Sequence, residues 1–319
     1  MISRYFESML PEEELAQLKY IPTIPEFITW IESKWSDLPA LSDTVTRLTY
    51  KQMCDEVAGK RAILLERGLR KGDKVAILDG ATIDAVMMFL AVTSAGCVAI
   101  NLPSQLPPPA VAGCCMKFGV NLLAVGESFK ATLPQLPCQV MNITEKSDKK
   151  APVAEVNKDD PAAIFFTGGT TGAPKGAVLP HRAILRGSLN GCYSPGSQLG
   201  CNRYLNVLPL SHVFGMIKGT MSALYTGAEW VSASNAKESI SKMPVIKPTV
   251  LVAVPGICEI LLGLVKMYGK GFFYEDAIND LLPERESSDI WLMPDMLMSV
   301  RKLPLPQAGS RNFSDASLS

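Results

Sequence analysis

The chain has 319 residues and a mass of 34.5 kDa, enough for one large domain or two modest ones around a buried core. Lys plus Arg and Asp plus Glu stand at 31 each, so no net field draws the chain to nucleic acid or to an acidic membrane, and nucleic acid is not expected as a partner. At 47% hydrophobic the composition is that of a globular protein, and the longest apolar runs, such as Ala85 to Val92, fall short of the roughly 20 residues that span a bilayer.

The predicted elements alternate from the start. Pro22 to Trp35 places Ile24, Phe27, Ile28 and Ile31 at a helical 3-4-3 spacing. After a polar turn, Arg47 to Tyr50 reads as a short strand, and Tyr50, Met53, Cys54, Val57, Ala58, Leu64 and Leu65 fall mostly on one helical stripe that Gly68 is placed to stop. Lys74 to Leu78 is a strand, Thr82 to Ala95 an apolar helix ended by Gly96, and Cys97 to Leu102 a buried strand; strand, helix, strand at this spacing predicts a parallel βαβ unit. A helix over Ala110 to Phe118 and a strand over Asn121 to Val125 follow. From about 130 to 160 the chain is polar with little periodicity, which predicts an exposed connection holding one strand, Gln139 to Asn142, and a place for a lobe boundary.

Next comes Ile164-Phe-Phe-Thr-Gly-Gly-Thr-Thr-Gly-Ala-Pro-Lys-Gly-Ala-Val-Leu-Pro-His-Arg182, which reads as strand, polar loop, strand, helix. If the ligand is a polyphosphate, each residue type has a reason. Gly168, Gly169 and Gly172 let backbone amides approach an anion; Thr167, Thr170 and Thr171 add hydroxyl donors; Lys175 adds a mobile charge. A Walker loop needs Gly before its Lys and Ser or Thr after it, whereas Pro174 and Gly176 flank Lys175, so that reading fails.

Beyond the loop, His181 to Asn190 suits a helix whose first residue has a satisfied structural role. Tyr204 to Leu208 suits a strand, ending in Pro209-Leu-Ser-His-Val-Phe-Gly215. A helical run to Tyr225, a strand at Glu229 to Val231, a polar helix to Met243, a strand at Thr249 to Ala253 and a helix from Pro255 to Tyr268 complete the regular part. Ser211 and His212 do not form a hydrolase couple, because adjacent side chains in an extended loop point apart, and no Gly-x-Ser-x-Gly elbow occurs. Eight Cys at irregular spacing, including Cys54, Cys97, Cys114 and Cys258, lie mostly in apolar segments, with no Cys-x-x-Cys pair. With only His181 and His212 beside them, a zinc site is not expected. The charged start and the final Ser317-Leu-Ser carry no targeting address, so reduced thiols in a cytoplasmic protein are expected.

Thr167 to Gly176 resembles the phosphate-binding signature of the adenylate-forming enzymes, the family of acyl- and aryl-CoA ligases, luciferases and nonribosomal peptide adenylation domains. That pattern reads Thr-(Ser/Gly)-Gly-Thr-Thr-Gly-x-Pro-Lys-Gly. Pro209 to Gly215 is similar to the family's Pro-x-x-His-x-x-Gly segment. Weaker likeness lies at Leu48-Thr-Tyr50, Gly72 to Ile77, Ala95 to Ile100, Pro248 to Leu251 and Val254-Pro255, so the resemblance covers about Pro22 to Tyr268.

The resemblance implies an α/β fold of layered sheets with flanking helices, as in the N-terminal domain of acyl-CoA synthetases, incomplete and with an irregular C-terminal tail. It implies a partial domain over 1–273 and a divergent tail over 274–319. It also implies ATP, Mg²⁺ and coenzyme A, with a small-molecule carboxylic acid as substrate. Thr167, Gly168, Gly169, Thr170, Thr171, Gly172 and Lys175 would hold the phosphates, Thr171 the metal, and His212 would border the acyl carboxylate; Lys175 and His212 are the catalytic candidates. Apolar Val213, Phe214 and Met216 lean toward a hydrophobic or aromatic acid. After Tyr268 the family's aromatic-Gly-x-Thr-Glu and ribose-binding Gly-Asp segments do not follow; the one Gly-Asp pair is Gly72-Asp73. The chain therefore looks truncated, and full ligase activity is not expected from it alone. The alternative is a non-catalytic paralogue or fragment that binds, or that self-associates through an exposed sheet edge.

Overall fold

Two threonines start the first layer of helices. The computed structural model describes residues 12–167, 175–192, 199–232 and 242–254, together with 238, 256, 257 and 259. After a short helix α1 (Glu12–Leu15), Thr23 caps α2 (Ile24–Trp35) by accepting from the Glu26 amide, and Thr49 caps α3 (Tyr50–Glu66) in a reciprocal box with Gln52. Helix α2 buries Ile24, Phe27, Ile28 and Ile31, the face its spacing predicts.

Strands β1 (Pro39–Ser42) and β2 (Arg47–Thr49) lie between these helices, and β1 occupies what the sequence presents as a polar turn. The chain continues through β3 (Lys74–Leu78), α4 (Ile83–Ser94), β4 (Val98–Asn101), α5 (Pro108–Phe118), β5 (Leu122–Val125), α6 (Glu127–Lys130) and β6 (Gln139–Asn142). It then forms β7 (Pro161–Thr167), β8 (Lys175–Pro180), α7 (His181–Cys192) and β9 (Arg203–Asn206). A π-helix (Phe214–Met221), α8 (Ser222–Tyr225), β10 (Glu229–Ser232), α9 (Met243–Ile246) and β11 (Val250–Val252) follow. Gly68 and Gly96, placed to stop α3 and α4, both sit at positive φ, +85° and +76°. The helix predicted from Pro255 falls largely, and the tail 274–319 wholly, outside the described residues.

Among the described residues the strands form two sheets. One has six strands in the order β6-β5-β3-β4-β7-β8, parallel except for β8; the other has five in the order β11-β9-β10-β1-β2, parallel except for β2. The β3–α4–β4 unit is the parallel βαβ that the spacing predicts. Helix α4 is buried on every side, packed between β3 and β4 and helices α2 and α3, as an all-round apolar helix must be. The alternation of strand faces divides the core: Ala99 joins the main cluster with both sheets, while Val98 and Ile100 join a second cluster under Val111, Cys114 and Cys115 of α5.

The connection 130–160 carries β6 where predicted, but it is less free than its composition suggests. From α3, buried Lys60 pairs with Asp84 at 2.9 Å and donates to the Ile143 carbonyl. Its neighbour Arg61 donates from Nε and Nη2 to the Ala151 carbonyl and from Nη1 to Ser94 Oγ. The predicted lobe boundary does not coincide with a change of sheet, because 130–160 joins β5, β6 and β7 of one sheet. The chain crosses between sheets through α3 and again between α7 and β9.

Candidate functional site

Strand β7 runs parallel to β4, with Ile164 opposite Ile100, and turns back antiparallel into β8, with Phe166 opposite Gly176 and Thr167 opposite Lys175. The residues that close this hairpin, 168–174, lie outside the described residues, and with them Gly168, Gly169, Thr170, Thr171 and Gly172. Thr167 ends β7, and Lys175 opens β8 in an exposed position. Since β7 shares its direction with β4, β3 and β5, the hairpin opens at the carboxyl end of the parallel strands, where open α/β sheets take their ligands.

The second motif is a compact turn after β9. The His212 amide donates to the Pro209 carbonyl at 3.2 Å, and the His212 carbonyl accepts from Met216 at 3.0 Å. Gly215 packs so closely on that turn that a Cβ would overlap the Pro209 carbonyl oxygen, which accounts for the glycine at this spacing. The helical run predicted to Tyr225 is present, but its first part is a π-helix. There Thr220 Oγ1 donates back to the Gly215 carbonyl at 3.0 Å, and just beyond it Ser222 Oγ donates to Ile217 at 3.2 Å, both five residues earlier. His212 is exposed while Ser211 is buried, so the two side chains occupy different environments.

A residue outside both motifs, one the sequence reading did not single out, ties the second motif to the sheet that carries the first. Asn101, the last residue of β4, donates from Nδ2 to the Leu210 carbonyl at 2.9 Å. Its one sequence signal is a polar side chain closing the buried run Val98-Ala-Ile-Asn101. Lys218, in the π-helix, was likewise not anticipated: its ammonium donates to the Gly191 carbonyl in the last turn of α7, where the helix dipole favours a cation. Burial pushes Lys218 down to about 8, with Cys192 acting in the opposite sense.

His181, predicted as a satisfied structural residue, is buried but only half satisfied. Nδ1 accepts from the Ile24 amide at 3.3 Å, and Nε2 has no partner among the described residues. Burial raises the thiols of Cys54, Cys97, Cys115 and Cys192 to about 12, consistent with inert structural cysteines; Cys258 lies outside the described residues. Among the described residues no group of three His, Cys, Asp or Glu is arranged to hold a metal ion. Among them, too, no helix is long and apolar enough to cross a membrane.

The chain is similar to 4-chlorobenzoate–CoA ligase of an Arthrobacter species, 26% identical over 254 residues that make up 74% of this chain and 49% of the ligase. It is similar to the mitochondrial malonate–CoA ligase ACSF3 of Mus musculus, 27% identical over 286 residues, 82% of this chain and 48% of that enzyme. The chain thus spans about half the length of these curated relatives. In fold it matches the N-terminal domain of FACL13 from Mycobacterium tuberculosis, with a TM-score of 0.68 at 22% identity over 75% of this chain and 64% of that chain. The N-terminal subdomain of Klebsiella oxytoca NpsA, in complex with 3-hydroxybenzoyl-AMSN, matches with a TM-score of 0.65 at 22% identity over 74% of this chain and 60% of that chain. The family model for the AMP-binding enzymes matches residues 29–300, running past Tyr268, where the individual motifs end, and this chain belongs to that family.

Proposed function

We propose that the chain supplies the phosphate-loop part of an enzyme that activates a small carboxylic acid with ATP and passes the acyl group to coenzyme A. In the first step a carboxylate oxygen bonds to the α-phosphorus as the bond to pyrophosphate breaks. In the second a thiol sulfur, losing its proton, bonds to the acyl carbon as AMP leaves. The observation that carries this reading is that Asn101, at the end of β4 beside β7, ties the Pro209–Gly215 turn to the carboxyl end of the sheet at which the Thr167–Lys175 hairpin opens.

In this reading Lys175 neutralises β- and γ-phosphate oxygens, and residues 168–172 add amide and hydroxyl donors from the closing loop. His212 borders the place where the acid meets the α-phosphate, and apolar Val213, Phe214 and Met216 favour a hydrophobic or aromatic acid. Mg²⁺, reached through Thr171, would supply further charge neutralisation. The same reading assigns the adenylating domain to 1–273, a tail to 274–319, and the cytoplasm as compartment. Among the described residues β8 is a sheet edge on which Val178 is exposed, and it is the surface through which self-association would run.

The test is carboxylate-dependent ATP–pyrophosphate exchange by the folded chain against a panel of aliphatic and aromatic acids. Exchange is expected with at least one acid, falling about a hundredfold in Lys175→Ala, the usual scale for losing one charge-stabilising donor. A folded chain that exchanges with no acid supports the non-catalytic alternative.

A further inference from the structure

Asn101 is 4% exposed, and its Nδ2 donates to the Leu210 carbonyl. A carbonyl only accepts, so the amide nitrogen must face Leu210, and Oδ1 is left buried without a partner among the described residues. The rest of β4, Val98, Ala99 and Ile100, is apolar and buried, and Val at position 101 would remove the orphaned Oδ1 but leave the Leu210 carbonyl without its donor. Asparagine there leaves one buried acceptor unpaired and satisfies another. What it provides is a tether from the end of β4 to the turn that carries His212.

That turn is held together by its own backbone bonds. Pro209 accepts from the His212 amide, His212 accepts from Met216, and Gly215 rests on the Pro209 carbonyl. Leu210 and Ser211 are buried inside it, so a displacement of the Leu210 carbonyl carries His212 with it. Strand β4 lies directly beside β7, which ends at Thr167.

We infer that Asn101 is a positioning residue: by holding the Leu210 carbonyl at the end of β4, it sets where His212 stands relative to the Thr167–Lys175 hairpin. Its catalytic consequence rests on the function proposed above; its geometry does not.

The chain contains two histidines, which makes the test direct. His181 follows Pro180, which pairs with Pro161 at the start of β7, so it lies at the opposite end of the sheet from His212 and serves as an internal control. With labelled histidine in the full chain, Asn101→Val and the near-isosteric Asn101→Asp should shift the His212 imidazole signal and leave that of His181 in place. The Met216 amide should exchange with solvent about tenfold faster, the scale of one lost hydrogen bond. Asn101→Val exchanges one unpaired acceptor for another, so its Tm should stay close to that of the wild type, and in pyrophosphate exchange its KM for the acid should rise while that for ATP holds. An unmoved His212 signal with unchanged Met216 exchange in both variants overturns the inference. So does a lowered Tm with both histidines shifted alike, which indicates a structural role alone. If the wild-type chain exchanges with no acid, the proposed function fails, and the histidine signals still decide the role of Asn101.

Discussion

Gly176 lies against the ring of Phe118: a Cβ on the glycine would come within 2.8 Å of Phe118 Cε1 and 2.7 Å of Ile164 Cγ2. The same ring packs edge-on against Phe166, with centroids 5.6 Å apart and planes at 77°. Helix α5 therefore underpins the hairpin from the side away from the main core, and the glycine after Lys175 is required by packing whatever the loop binds.

Gly176→Ala is expected to cost about 1–3 kcal/mol, the usual range for overpacking. Adding Phe118→Leu should recover part of that loss, since the smaller side chain can yield. Urea denaturation of the three variants measures both quantities, and an alanine variant as stable as the wild type would show that the close contact is absent.

Gly215→Ala should behave differently, because its obstacle is the Pro209 carbonyl, a backbone atom with no rotamer to change. The turn around His212 must open to admit the methyl group. Pyrophosphate exchange is therefore expected to fall about tenfold or more, with a loss of stability of about 1–3 kcal/mol. Full activity in a folded Gly215→Ala protein would remove the turn from the site.

Lys60→Met leaves Asp84 without its partner and the Ile143 carbonyl without its donor. Breaking one side of a buried ion pair costs about 3–5 kcal/mol; Asp84 retains some solvent contact, so about 3 kcal/mol is expected here. The double variant Lys60→Met, Asp84→Leu should regain more than half of it. Equal stabilities for the single and double variants would mean that the carboxylate is not the source of the loss.

Stability should also fall with acid in a window set by His181. Burial is the main influence that brings its imidazole down to about 4; Asp160 acts upward and Lys71 downward. A group whose folded pKa lies below the unfolded value of about 6.5 binds protons first in the unfolded chain. Its contribution is level above about pH 6.5, declines as pH falls, and levels again near 4, a total of about 3 kcal/mol. His181→Asn keeps an acceptor for the Ile24 amide and does not titrate, so the Tm difference between pH 7 and pH 5 should shrink in that variant. Parallel pH profiles for variant and wild type would exclude His181 as the cause.

Glu229 acts in a lower window. Burial pushes its carboxyl upward, but hydrogen bonds from Arg47, Ser42 and Arg203 outweigh that and hold it below the usual range. Its stabilisation is present above the unfolded value of about 4.3 and is lost as pH falls through the lower folded value. Glu229→Gln should therefore flatten the stability profile below about pH 4.5 and leave the His181 window unchanged, as thermal unfolding across that range will register.

What the amino-acid sequence determined by itself was everything carried by neighbours along the chain. The apolar faces of α2 and α3, the stops at Gly68 and Gly96, the β3–α4–β4 unit, β6 and the β7–loop–β8–α7 order all follow from period, capping and turn chemistry. The two motif segments belong to the same class of information, and the family match agrees with them. Tertiary structure alone decided what depends on partners distant in sequence. Pro39 to Ser42 forms a local hairpin with β2, Leu41 opposite Leu48, and it is pairing of Leu41 with distant Trp230 that builds this hairpin into the five-stranded sheet. Lys60 and Arg61 are buried, and Lys218 partly so, because carbonyls and carboxylates far along the chain arrive to receive them. Asn101 reads as one more strand residue until Leu210 is placed against it, since a hydrogen-bond donor acquires a role only when folding delivers its acceptor.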